Sequence, residues 1–147
     1  MNTKIFLIAA IIITIGVTGL FQPLSAQQNG YQMFDDVEAL LDNPAEFVGK
    51  QVSVPGEVEY LIDQQTFVLE SGGIINDEVV VFIPEEFPKE QLPLVVDDAE
   101  LVVKGILRAF NVIEFEREID WWDWTPEIEA ELERVELVLV AEDITSK

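Results

Sequence analysis

Trp121, Trp122 and Trp124, clustered around Asp123, are the residues of this chain best equipped for recognition, and they are its only tryptophans. An indole offers a large apolar area with one polar N–H. That combination anchors partner proteins, stacks on sugars or sits at a membrane interface. The same rings could instead plug one end of a folded domain beneath a following helix, although Asp123 argues against burying the whole segment. Tyr60 and Phe67 add a second aromatic surface, on what reads as one face of a β-barrel.

Carboxylates supply the other candidate chemistry. Asp97, Asp98 and Glu100 form a local cluster that could take Ca²⁺, weakly and without selectivity. One Ca²⁺ needs about six to eight converging oxygens, and the EF-hand spacing is absent. Glu114, Glu116, Glu118 and Asp120 alternate, so in an extended chain they share one face about 6.6–7 Å apart and do not converge. Glu57 and Glu59 are expected to pair across a sheet with Lys104 or Arg108. Paired carboxylates can hydrolyse glycosides, but with 29 acidic residues in the chain any one pair is uninformative.

The chain has no His and no Cys. The commonest metal ligand and the commonest general base are therefore missing, and Ser-His-Asp or Cys-His catalysis is impossible. No catalytic residue and no cofactor is called. The expectation is a protein that is not an enzyme.

Charge and address narrow the partners. Lys4 is the only charged residue before Asp35; an apolar run from Ile5 to Leu20 follows, then Pro23 and Leu24-Ser25-Ala26. This is the layout of an export signal cleaved after Ala26. The alternative is an uncleaved membrane anchor, since residues 5–24 just reach the length of about 20 that spans a bilayer. Either way the remainder is placed outside the cytoplasm, periplasmic or extracellular. Residues 27–147 hold seven basic and all 29 acidic residues, a net charge of −22. Such a surface repels phosphate backbones and anionic lipid, so nucleic acid is excluded as a partner and membrane contact is confined to residues 5–24. An envelope or secreted protein, or a glycan, remains.

The elements that must position these residues read as follows. Residues 27–33 form a linker, and residues 34–147 a single domain. Asp35 or Asp36 caps a helix through Leu41, with Val37, Leu40 and Leu41 on one face. From Val52 the period changes to two: Val52, Val54, Gly56, Val58, Tyr60 and Ile62 share one face, Gln51, Ser53, Glu57 and Glu59 the other. A bulge is expected at Pro55-Gly56, because proline cannot donate to a ladder. Further strands are expected at Thr66–Ser71, Val79–Ile83, Leu101–Phe110 and Val135–Ile144, the fourth of them continuing or breaking near Asn111. Thr125 caps a short helix with Pro126 in its first turn.

Five strands, two of them long and carrying an internal glycine (Gly56, Gly105), suit a mainly β chain closed into an OB-like barrel, with a β-sandwich as the alternative. The stretch Val48-Gly49-Lys50-Gln51-Val52-Ser53-Val54-Pro55-Gly56-Glu57-Val58, with Phe67-Val68-Leu69, Val79 to Phe82, Leu101 to Leu107 and Val138 to Ile144, resembles small exported bacterial OB-fold proteins. The resemblance covers roughly residues 47–145. It implies a barrel and an extracytoplasmic address, and no reaction. The combined expectation is an extracytoplasmic module binding a partner protein or a neutral or cationic ligand. A structural or stress-protective envelope protein with at most weak divalent-cation binding is the other class.

Overall fold

Asp36 caps the first helix: its Oδ1 accepts from the Ala39 N–H at 2.8 Å, which fixes α1 (Val37–Leu41) with Val37 and Leu40 buried. The computed structural model describes residues 30–72, 77–118 and 125–147. The export signal called over residues 1–26 and the tryptophans of residues 121–124 lie outside the described residues. Among those described, no helix is long and apolar enough to cross a membrane.

Five strands form at the five segments expected from the sequence, with ends shifted by a few residues. They are β2 (Gln51–Leu61), β3 (Thr66–Glu70), β4 (Glu78–Phe82), β5 (Glu100–Ala109) and β6 (Leu137–Ser146). The sheet runs β2-β3-β4-β6-β5, and β5 pairs back on β2, closing a five-stranded barrel. Only the β4–β6 contact within the barrel is parallel. This is the OB fold. The residues expected to be linker include a short sixth strand, β1 (Gln32–Met33), which pairs in parallel with Val52 and Ser53 of β2.

Inward positions fill the barrel: Val52, Val54 and Val58 from β2, Phe67 and Leu69 from β3, Val79 and Val81 from β4, and Leu101, Val103 and Leu107 from β5. Gln91, in a 3-10 turn (Lys89–Leu94), pins the β4–β5 connection to β6. Its side chain accepts from the Ile144 N–H at 2.7 Å and donates to Asp143 at 2.8 Å.

Tight curvature needs glycine at two contacts. A Cβ on Gly56 would lie 2.7 Å from the Glu70 carbonyl oxygen, and one on Gly105 would collide with the Val140 carbonyl. Both positions admit no side chain, as the bends read at these glycines require. The expected bulge is displaced, however. Pro55 and Gly56 pair regularly with Val102 and Leu101, and the register slips at Glu59 instead, between Val58 and Tyr60. A second slip lies opposite Lys104 and Gly105, where β6 carries the extra residue Glu142.

A second, smaller core sits outside the barrel. The β5–β6 connection carries α2 (Val112–Glu118) and α3 (Pro126–Leu132), whose Phe115, Ile128 and Leu132 pack on Phe82, Phe110 and Val138. Phe115 meets Phe82 edge-on at 5.2 Å and Phe110 at 5.0 Å. The expectation of an extended acidic ladder at Glu114, Glu116 and Glu118 is corrected here. Asn111 Oδ1 accepts from the Ile113 and Glu114 N–H groups, caps a helix, and turns Phe115 onto the barrel wall. Thr125 caps α3 as expected, accepting from the Ile128 N–H.

Candidate functional site

The bulge at Glu59 decides which way the recognition residues point. Without it, strict period two would place Tyr60 on the core face with Val58. The extra residue flips the end of β2, so Tyr60 pairs with Val68 on the outer face and Leu61 pairs with Phe67 on the inner one. Tyr60 is 41% exposed, whereas Phe67 is fully buried. Phe67, called as a ligand contact, is therefore a core residue, and the expected pairing of Tyr60 with Phe67 on one face does not occur.

Two rows run across the outer face of β2, β3 and β4. Val68 is opposite both Tyr60 and Val80, which gives an apolar row Tyr60–Val68–Val80. Two residues along each of β3 and β4, Glu70 is opposite both Glu57 and Glu78, which gives a carboxylate row. The strand rise sets the two rows about 7 Å apart. Beside the apolar row opens a groove of about 370 Å³, bounded on its far side by Glu131, Arg134, Val135 and Glu136 at the end of α3 and in the link to β6.

Like charges directly opposite one another strain a sheet. One carboxyl oxygen each of Glu59 and Glu70 is sealed from solvent without a hydrogen-bond partner. Burial, then the charge and hydrogen bond of Glu78, raise the Glu59 pKa; burial, then Glu59, Glu57 and Asp98, raise that of Glu70. The Tyr60 hydroxyl is likewise held protonated beyond its usual range, by burial and then by Glu131, Glu59 and Glu78.

A raised carboxyl pKa means that the folded chain holds its proton to higher pH than the unfolded chain does. The resulting stability is fully present below the ordinary glutamate value of 4.5 and is lost as the pH climbs through the folded-state values. Melting temperature is thus expected to rise as the pH falls from 7 towards 4.5, and Glu70→Gln to raise it at pH 7 and flatten the profile. Calorimetric scans at several pH values check this; a wild-type profile that falls over that range, or one that Glu70→Gln leaves unchanged, contradicts it.

The other called residues are placed as follows. Asp97 and Asp98 form the turn before β5; Asp98 takes a φ of +63° and donates its N–H to the Val58 carbonyl at 2.8 Å. Aspartate tolerates that left-handed backbone. Glu100 begins β5 opposite Glu57. Asp97, Asp98 and Glu100, expected as a weak Ca²⁺ cluster, build a turn and a strand start, and among the described residues no group of three or more Asp, Glu, His or Cys is placed to hold a metal ion. Lys104 and Arg108 pair with Asp143 at 3.7 Å and with Glu118 at 2.8 Å, not with Glu57 or Glu59 as expected. No residue type marks the β2 bulge, so sequence reasoning misses it and with it the groove residues Val68, Val80, Glu78 and Glu131.

No protein-family model and no curated protein matches the chain. Solved structures share its fold. An aspartyl tRNA synthetase from Entamoeba histolytica is 17% identical over 85% of this chain, with a TM-score of 0.48, and the chain spans only 23% of its length. The N-terminal domain of PriB from Thermoanaerobacter tencongensis is 15% identical over 66% of this chain and 94% of that domain, with a TM-score of 0.42. A small single-stranded DNA-binding protein from Streptomyces coelicolor is 11% identical over 67% of this chain and 93% of its own, with a TM-score of 0.45. The expectation that nucleic acid is excluded as a partner is corrected: a structure with this fold is that of a single-stranded DNA-binding protein.

Proposed function

We propose that this chain is a non-enzymatic binding module, exported to the periplasm or the exterior, that takes a partner protein or another neutral or cationic ligand on the outer face of β2–β3–β4. One observation carries the reading: the row Tyr60–Val68–Val80 opens into a groove of about 370 Å³ on an otherwise acidic barrel. A concave surface that combines apolar floor with a few polar groups is the usual form of a ligand site. A tyrosine that combines an exposed ring with a hydroxyl is a common anchor in such sites. The absence of His and Cys from the sequence supports binding over catalysis, and the pattern of residues 1–26 supports export.

Random-sequence peptide and glycan arrays, probed with the labelled protein, test the reading. Ligands retained by the wild type are expected to lose about tenfold or more in affinity with Tyr60→Ala, the scale of one well-placed anchor, and to be unaffected by Tyr31→Phe. Retention that Tyr60→Ala leaves untouched, or no retention at all, contradicts it.

A further inference from the structure

The groove beside Tyr60 combines an apolar floor with carboxylates on both sides. On one side stands the row Glu57–Glu70–Glu78, joined by Glu59 at the bulge. Glu131 and Glu136 stand on the other, with Arg134 the one cation among the groove's described lining residues. These carboxylates act on the ring at the centre: Glu131, Glu59 and Glu78 all raise the Tyr60 pKa. An apolar probe alone would leave their charge uncompensated, and a simple cation would leave the Val68 and Val80 floor unused.

Spacing selects between cationic ligands. The floor and the carboxylate row are about 7 Å apart, the separation of alternate residues in an extended peptide. A lysine or arginine stem can also lie along apolar surface while its head reaches a carboxylate. Resting on the proposed binding role of this face, we propose that its occupant is an extended peptide segment of a basic protein, with an aliphatic or aromatic side chain in the groove and Lys or Arg on either side. The apolar side chain sits against Tyr60, Val68 and Val80. One flanking cation meets Glu78 and Glu59, the other Glu131 and Glu136.

The test uses the peptide acetyl-Lys-Ser-Val-Ser-Lys-Ser-Leu-Ser-Lys-amide, whose lysines and aliphatic residues alternate on one face when extended, in titration calorimetry with the full exported chain. Three comparison probes accompany it: the same peptide with Gln for Lys, the same with Gln for Val and Leu, and a single-stranded oligothymidine. The lysine–aliphatic peptide is expected to bind about tenfold or more tightly than either substituted peptide. The double variant Glu78→Gln/Glu131→Gln is expected to weaken it by about tenfold, the scale of two partly desolvated charge contacts, and raised salt to weaken it further. Equal affinity for the peptide lacking Val and Leu, unchanged in the double variant, would mean adsorption to net charge and overturns the proposal. Preference for the oligothymidine overturns it as well. If a neutral peptide or a glycan binds in a Tyr60-dependent manner while the lysine peptide does not, the basic-peptide assignment fails and the binding role of the face stands.

Discussion

Gly105→Ala is expected to destabilise the barrel by about 3 kcal/mol or more, a large share of what holds a domain of this size together. The reason is local and steric. A Cβ at this position would enter the Val140 carbonyl of β6, a backbone atom that cannot rotate away. Relief would require β5 and β6 to part where the slip at Lys104 and Gly105 already leaves the pairing irregular. The loss should appear as a fall in melting temperature of roughly 10 °C or more. Urea denaturation followed by far-ultraviolet circular dichroism measures it directly. A Gly105→Ala chain within about 0.5 kcal/mol of the wild type, the range of ordinary surface substitutions, would mean that the close approach of β5 to β6 is wrong.

Phe67→Ala carries the second large effect, and it separates the core from the recognition surface. Phe67 is fully buried among the inward residues of β2, β4 and β5. Removing its ring leaves a cavity in a core that collapses only in part, at a cost of about 3–5 kcal/mol. Tyr60→Ala, four-tenths exposed on the other face of the sheet, should cost far less stability and act on binding instead. Denaturation midpoints for the two variants side by side check the contrast. Equal and small losses would place Phe67 at the surface, as its sequence position alone had implied.

That pair of residues also shows what was legible in the sequence. The alternation from Val52 to Val58, the glycines at 56 and 105, the Asp36 and Thr125 caps and the five strand segments are local signals, and each is realised in the fold. The bulge at Glu59 is not a local signal. It arises because β2 must pair with β5 along its first half and with β3 along its second, and no residue type marks the changeover. One inserted residue reversed the faces of Tyr60, Leu61 and Ile62 and concealed the groove. The acidic stretch after Asn111 misled for a related reason. Alternating glutamates fit a strand, but Asn111 as a cap and Phe115 as a core residue favour a helix once a barrel wall is there to receive the ring. The carboxylate row was invisible because its members come from three strands, and only the register brings them together.

Ligands are expected to dock on the outer face of β2–β3–β4. Amide chemical-shift mapping with the isotope-labelled protein and the lysine–aliphatic peptide tests it most directly. Saturable shifts are expected at Tyr60, Ile62, Val68, Val80 and Val135, with β5 and the Asp97–Glu100 turn unmoved. Shifts centred on that turn, or scattered evenly over the acidic surface, would contradict it.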